Sequence, residues 1–216
     1  MKKEIVLVGG GGHCKSVIDV IESEGSYSIA GIIDIKEKLG QRILDYEICW
    51  TDDQLVDLVG QYKYFLVTVG QIKKPDARIM LYEKIKKCGG VMPVIVSPRA
   101  QVSRHARIGE GTVVMHQSVV NADVSIGKNV ILNTGCLLEH DVTVGDHCHI
   151  STKAVVNGGA HVADRVFVGS AAVLSQMISV GSDVVISSGS VVRKDIPDRA
   201  LAFGNPARIK VYDNEH

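Results

Sequence analysis

From residue 102 onward the chain sets an aliphatic side chain at every sixth position. Val102, Ile108, Val114 and Val120 open the series, which runs without an insertion to Val192. Four residues after each anchor stands a small or branched residue, from Ala106, Thr112 and Ser118 through Cys136 and Cys148 to Ile196. A helix with a period of 3.6 cannot hold a six-residue repeat on one face over that distance. A triangular coil can, if each hexad supplies one short strand and one corner. Three hexads then close a coil, and successive coils stack at the inter-strand spacing of about 4.8 Å.

In such a coil, residues eighteen apart form columns, and the fifth position after each anchor points outward. One outward column is Val113, Ile131, His149, Phe167, Val185, and a second is Val119, Leu137, Val155, Val173, Val191. The third, Arg107, Ser125, Thr143, His161, Ser179, is polar. Apolar columns of that length call for a cover, and the expected one is a threefold assembly in which each prism presents its apolar flanks to its neighbours.

Residues 1–96 have another rhythm. The run EIVLV (4–8) stops at Gly9–Gly12, as a buried parallel strand does. Val17, Ile18 and Ile21 then fall at helical spacing up to Gly25, a suitable residue just past a helix end. YSIAGIID (27–34) is a second strand ending in Asp34. Thr51 and Gln54 form a capping-box pattern ahead of Leu55, Leu58 and Val59. YFLVTVG (64–70) is a third strand, and Pro75 opens a helix whose expected apolar face is Met80, Leu81 and Ile85, ending at Gly89. Alternation of strand and helix predicts a small Rossmann-like sheet with its ligand crevice at the strand C-termini. The six-residue repeat resembles that of the hexapeptide-repeat, left-handed parallel β-helix family, so the expected architecture is a Rossmann-like unit over 1–96 followed by a left-handed parallel β-helix with a C-terminal tail over 97–216.

Composition narrows the function classes. Lys+Arg and Asp+Glu both number 24, a balance that offers nucleic acid no electrostatic footprint. The apolar run at the N-terminus is broken by glycines after four residues, too short for a signal core or a membrane span. Five cysteines at scattered spacings, without a CxxC pair, fit reduced cytoplasmic thiols.

The candidate chemistry sits in LLEHDVTVGDHCHIST (137–152), which holds His140, His147 and His149. They could bind a metal, pack as imidazoles, or include one base. Coil register places all three outward, with Cys136 and Cys148 inward as core filler. Trimeric β-helix carbonic anhydrases hold zinc through three histidines, but here Ala122 and Gly158 stand one coil before and after His140, so no histidine ladder forms and no metal is expected. Acyl transfer needs a base, donors for an oxyanion and a slot for the donor's long arm. His140 followed by Asp141, with Gly158 one coil on, matches those needs. His147 reads as a solvent-facing bystander. In the N-terminal half, GGGGHC lacks the third glycine of GxGxxG, is a weak signal alone, and has a plain tight turn as its alternative reading. A strand, glycine loop and helix N-terminus nevertheless bind anions. Asp34 at a second-strand end would mean a ribose contact in an NAD enzyme, but a β-helix offers no hydride-transfer domain.

Taken together, VLVGGGGHCKSVID near the start, LNTGCLLEHD in the repeats and VVRKDIPDRALAFGNPARIK near the end resemble the sialic acid O-acetyltransferase NeuD family, which includes the N-acetyltransferases of the bacillosamine and perosamine pathways. The resemblance implies an acetyl-CoA-dependent, cytoplasmic homotrimer that acetylates the 4-amino group of a nucleotide-linked 4-amino-4,6-dideoxy sugar. It also implies residue roles. His140 matches the general base and Asp141 its acidic partner, where close relatives often have glutamate. Asn133 matches the residue that holds the sugar amine. His149 and the Gly158 backbone match contacts to the acetyl-CoA thioester end, and Thr152, Ser170 and Ser188 would line the pantetheine groove. Gly11, Gly12 and His13 match the loop over the diphosphate, and Asp34 and Gly70 the edges of the nucleotide pocket. The same fold also serves O-acetylation of sialic acid or another glycan, and a non-catalytic nucleotide-sugar-binding protein could be built on it.

Overall fold

The structure, a computed structural model, describes residues 2–72 and 74–211. The last five residues of the predicted tail lie outside the described residues. The N-terminal unit begins with β1 (Lys3–Val8), α1 (Gly12–Glu24) and β2 (Tyr27–Asp34), followed by a short hairpin, β3 (Arg42–Ile43) and β4 (Tyr46–Thr51). Then come α2 (Leu55–Val59), β5 (Tyr64–Val67) and α3 (Asp76–Lys87). The sheet order is β3-β4-β2-β1-β5, parallel except for the β3–β4 hairpin. That hairpin is absent from the sequence reading, because Arg42–Ile43 is too short to carry an alternation. The predicted Thr51–Gln54 capping box is present, and Gly25 ends α1 in the left-handed conformation with φ of 79°.

One face is corrected. Met80 is 61% exposed, while the buried stripe of α3 is Arg78, Leu81, Tyr82 and Ile85. Those four keep the i, i+3, i+4, i+7 spacing that Met80 breaks. Hydrophobicity alone picks out Met80; periodicity picks out an arginine.

The second unit is a β-helix of two-residue strands that stack in three parallel sheets, one per face. Ile95–Val96 already pairs with Val113–Val114, so the joint between the units is itself the first rung of one face. The predicted registers hold: Val113 pairs with Ile131, Ile131 with His149 and His149 with Phe167, and the second apolar column and the polar column are likewise in step. Anchors and small residues fill the prism, with Cys136 and Cys148 fully buried. The corners are made by a left-handed residue every six positions, among them Gln117, Asp123, Asn129, Asp141 and His147 at φ between 52° and 61°. An antiparallel pair, Ala200–Phe203 and Arg208–Val211, closes the last coil.

The two apolar columns are not alike. Val113, Ile131, His149 and Phe167 are buried within one chain, with α1 packed over Val113 and Ile131 and Gln71 against His149, while Val185 at the end of the column is half-exposed. Cys14, Val17, Ile18, Val20 and Ile21 are all buried on that helix, facing both the sheet and the β-helix. The expectation that a neighbouring subunit covers this column is therefore corrected for its first part, Val113 to His149, which the chain's own N-terminal unit covers. Val119, Leu137, Val155, Val173 and Val191 remain half-exposed.

Candidate active site

Four consecutive glycines follow β1, and the fold needs only the first two. Gly9 has φ of 110° and lies against Val69, and a Cβ on Gly10 would sit 2.9 Å from Ile48 and 3.1 Å from the Asp34 carboxylate. A Cβ on Gly11 or Gly12 would meet nothing within 4 Å, and neither is left-handed. Their small size leaves empty space in front of the first turn of α1. Gly11 caps that helix without a side-chain bond, and the first turn carries no acidic residue. Unpaired N–H groups and the positive end of the helix therefore face the space, which is an anion-binding arrangement.

His13 borders the same space. Its Nε2 is buried without a hydrogen-bond partner, and burial pushes its pKa down to about 3, helped by His149 and Arg78. Asp34 is spent on its own surroundings: its carboxylate accepts from the Gly10 N–H at 2.6 Å, the Ile35 N–H at 2.7 Å and Lys38 Nζ at 2.9 Å. Burial works to raise its pKa, but the Lys38 bond and the two N–H groups outweigh that and hold it below the usual carboxylate value. Asp34 thus shapes the pocket edge by fixing the glycine turn and Lys38.

Across from this turn lies the β-helix. A cleft of about 940 Å³ brings together Gly11, Gly12, His13, Asp34 and Gly70 from one unit with Asn133, His149 and Thr152 from the other. Asn133 Nδ2 is 3.1 Å from His149 Nε2, and Asn133 Oδ1 accepts the Thr134 N–H at 2.8 Å. His149 Nδ1 donates to the Gln71 carbonyl at 2.7 Å, and the ring meets Phe167 edge-on. Its pKa falls to about 4, chiefly through burial, opposed by the Gln71 bond. The outward position of His149 on the coil is thus a buried one in the molecule, and the packed-imidazole reading is correct for this residue. Both ring nitrogens are engaged, so a contact with coenzyme A would have to displace one of them.

His140, Asp141, Gly158, Ser170 and Ser188 do not line this cleft. His140 stands at a corner beyond Leu137–Leu138, with its side chain 68% exposed and its Nδ1 2.7 Å from Asp141 Oδ2. That bond raises the His140 pKa above its usual value. Nε2 is left free to take a proton. A Cβ at Gly158 would fall 2.7 Å from His140 Cε1 and 2.8 Å from Nε2, so the space this glycine leaves is used by the imidazole itself. Thr152, Ser170 and Ser188 do stack, as the Ala171 N–H to Thr152 carbonyl and Gly189 N–H to Ser170 carbonyl bonds show, both 2.9 Å. The column starts in the cleft and continues along the coils. His147 is no solvent-facing bystander: it is half-buried, edge-on to Tyr82 at 5.4 Å between ring centres and 3.0 Å from Asn129 Nδ2.

Residues absent from the sequence reading also line the cleft: Ser16, Lys38, Gln71, Ile72 and Thr134. Only Lys38 had a usable signal, a cation four residues after Asp34. A Ser–His–Asp arrangement lies elsewhere: Ser97 Oγ is 2.6 Å from His116 Nδ1, and His116 Nε2 is 2.6 Å from Asp19. Ser97 is 1% exposed and its Oγ accepts the Arg99 N–H, so it latches α1 to the joint and presents no nucleophile.

Comparison with known proteins agrees with both halves. Residues 4–85 match the PglD N-terminal domain, and residues 105–140 and 123–158 match the bacterial transferase hexapeptide model. A histidine variant of perosamine N-acetyltransferase from Caulobacter crescentus, solved with CoA and GDP-perosamine, is 32% identical with a TM-score of 0.89, covering 96% of each chain. The acetyltransferase domain of PglB from Neisseria gonorrhoeae is 30% identical with a TM-score of 0.89, over 96% of this chain and 99% of that one. A dTDP-3-amino-3,6-dideoxy-alpha-D-galactopyranose 3-N-acetyltransferase from Aneurinibacillus thermoaerophilus shares 79% identity over 24 residues, 12% of its length. With a PglD-type first unit, hexapeptide repeats in the second and likeness along nearly the whole chain, the protein belongs to the family of PglD-like, hexapeptide-repeat sugar N-acetyltransferases.

Proposed function

We propose that this protein transfers acetyl from acetyl-CoA to the 4-amino group of a nucleotide-linked 4-amino-4,6-dideoxy sugar, as a cytoplasmic homotrimer. The observation that carries the reading is the cleft in which an open glycine turn at a helix N-terminus faces Asn133 of the β-helix. The turn suits a diphosphate, and Asn133 suits the amine of the attached sugar. Relatives solved with CoA and GDP-perosamine, and with acetyl coenzyme A, support both substrates.

In this reading the amine nitrogen attacks the thioester carbonyl and gives its proton to His140 Nε2, with Asp141 holding the ring through Nδ1. The Gly158 N–H steadies the oxyanion of the tetrahedral intermediate. Collapse breaks the C–S bond, and the imidazolium returns its proton to the departing thiolate. His140 lies outside the cleft of its own chain. The base therefore reaches the sugar across a groove between two β-helices, and the half-exposed Val119–Val191 column supplies the apolar contact that brings them together. Thr152, Ser170 and Ser188 line the coenzyme's path along that groove.

A thiol-release assay with acetyl-CoA and UDP-, GDP- and dTDP-linked amino sugars tests the reading. Release with an amino sugar, and none with its hydroxyl counterpart, is expected. Release only with hydroxyl acceptors, or with none, would overturn it. A monomer in sedimentation equilibrium at micromolar concentration would rule out the trimer.

A further inference from the structure

Arg78 is 1% exposed, and among the described residues no carboxylate lies within ion-pair reach of it. An unpaired buried charge is costly; burial lowers the Arg78 pKa only to about 10, so it stays charged at neutral pH. Its bonds join the two units. Nη1 donates to Gln71 Oε1 at 3.1 Å, and Nη2 donates to the Asn129 carbonyl and, at 3.0 Å, to Asn129 Oδ1. The cluster is not tuned for stability alone, because Arg78 Nε, Gln71 Nε2 and His13 Nε2 are all buried without partners.

From Gln71 the bonds run in one sense only. Arg78 anchors its side chain, and its main-chain carbonyl, which can only accept, faces His149, so the His149 proton sits on Nδ1. A neutral His149 then offers a lone pair at Nε2, which requires the Asn133 NH2 to point at it. Asn133 Oδ1 is thereby turned to the Thr134 N–H, with a second lone pair unused by the chain. A protonated His149 would set Nε2–H against that NH2, and the amide could turn over only by losing the Thr134 bond.

We propose that Arg78 is a positioning residue: through Gln71 and His149 it holds the Asn133 amide with its oxygen free to accept a hydrogen bond from the sugar amine. This rests on the acetyl-transfer reading for its substrate, but the relay itself does not. Arg78, on α3, disfavours protonation of His149, and His149 in turn disfavours protonation of His13, on α1.

The test is Arg78→Met, with Arg78→Lys as the conservative variant, read by 15N-histidine NMR at neutral pH and by kinetics. In the unaltered protein His149 shows one neutral tautomer, protonated at Nδ1. In Arg78→Met that signature gives way to a mixture of tautomers. Its kcat/KM for the amino sugar falls about 10- to 100-fold while KM for acetyl-CoA holds, and Arg78→Lys recovers part of both losses. A folded Arg78→Met protein that keeps the single tautomer, or keeps full kcat/KM for the amino sugar, overturns the proposal. If Arg78→Met fails to fold, Gln71→Met decides on the same readouts, since it removes the guanidinium's acceptor and with it the anchor that holds the main-chain carbonyl of residue 71 against His149. If the unaltered protein acetylates no amino sugar, the functional reading falls. The His149 tautomer and the Asn133 side-chain amide resonances then still decide whether Arg78 controls the relay.

Discussion

Two faces of the β-helix carry apolar columns of nearly the same composition and meet opposite fates. The Val113–Ile131–His149 stretch of one face is sealed by the chain's own N-terminal unit, and only Val185 at its far end is half-exposed. The Val119–Leu137–Val155–Val173–Val191 face stays half-exposed, with His140 at its edge. The histidine on each takes its chemistry from that difference. On the sealed face, lost hydration drives His149 to the neutral form, and its two nitrogens become fixed hydrogen-bonding positions. On the open face, Asp141 favours the charged form of His140, and Nε2 remains available for proton transfer. A buried imidazole thus orients groups, while an exposed one beside a carboxylate can accept a proton.

The largest test of this division removes the open-face histidine. His140→Ala should lower kcat by about 10²- to 10⁴-fold with acetyl-CoA affinity nearly unchanged, and near-full turnover would break the assignment. Next in size is a pair of cavity mutations. Ile131→Ala, on the sealed face, should cost about 2–5 kcal/mol in denaturant unfolding. Leu137→Ala should cost the single chain less and weaken self-association instead; equal losses in both assays would erase the distinction.

Acid should act on the sealed face first. His149 and His13 have pKa values of about 4 and about 3, below their ordinary value, so they stabilise the fold fully above pH 6.5 and lose that contribution as pH falls toward the lower values. For His149 alone, the loss between pH 6.5 and 5 is roughly 2 kcal/mol. A His149→Gln variant should show a shallower fall in its unfolding midpoint. Gly158→Ala should push the exposed imidazole aside and lower kcat about tenfold, with little change in stability because the ring can swing into solvent. The smallest expected effect is a shift in the pH profile. His140 must be neutral to act, so the rate falls as pH drops through its raised pKa. Asp141→Asn should move that acidic limb to lower pH.

Much of this was legible in the sequence. The six-residue period determines the strands, the corners and the register of the columns, because a coil of fixed perimeter leaves one placement for each residue. The glycine run after β1, Asp34 at the end of β2 and the Gly158–His140 juxtaposition one coil apart follow from local pattern for the same reason. Met80 in place of Arg78 shows the limit of hydrophobicity without periodicity. The short β3–β4 hairpin shows the limit of periodicity in two-residue strands.

What only the tertiary structure decided is which outward column is buried, and by what. Hexad register says that a side chain leaves the prism, but whether it enters water or the flank of α1 depends on how two separately patterned units dock. That docking turned His149 from a surface contact into a buried hinge of hydrogen bonds, placed His147 beneath Tyr82 and gave Arg78 its acceptors on Asn129. Each results from desolvation at a contact between residues far apart in the chain, and no local pattern encodes which surface will lose its water.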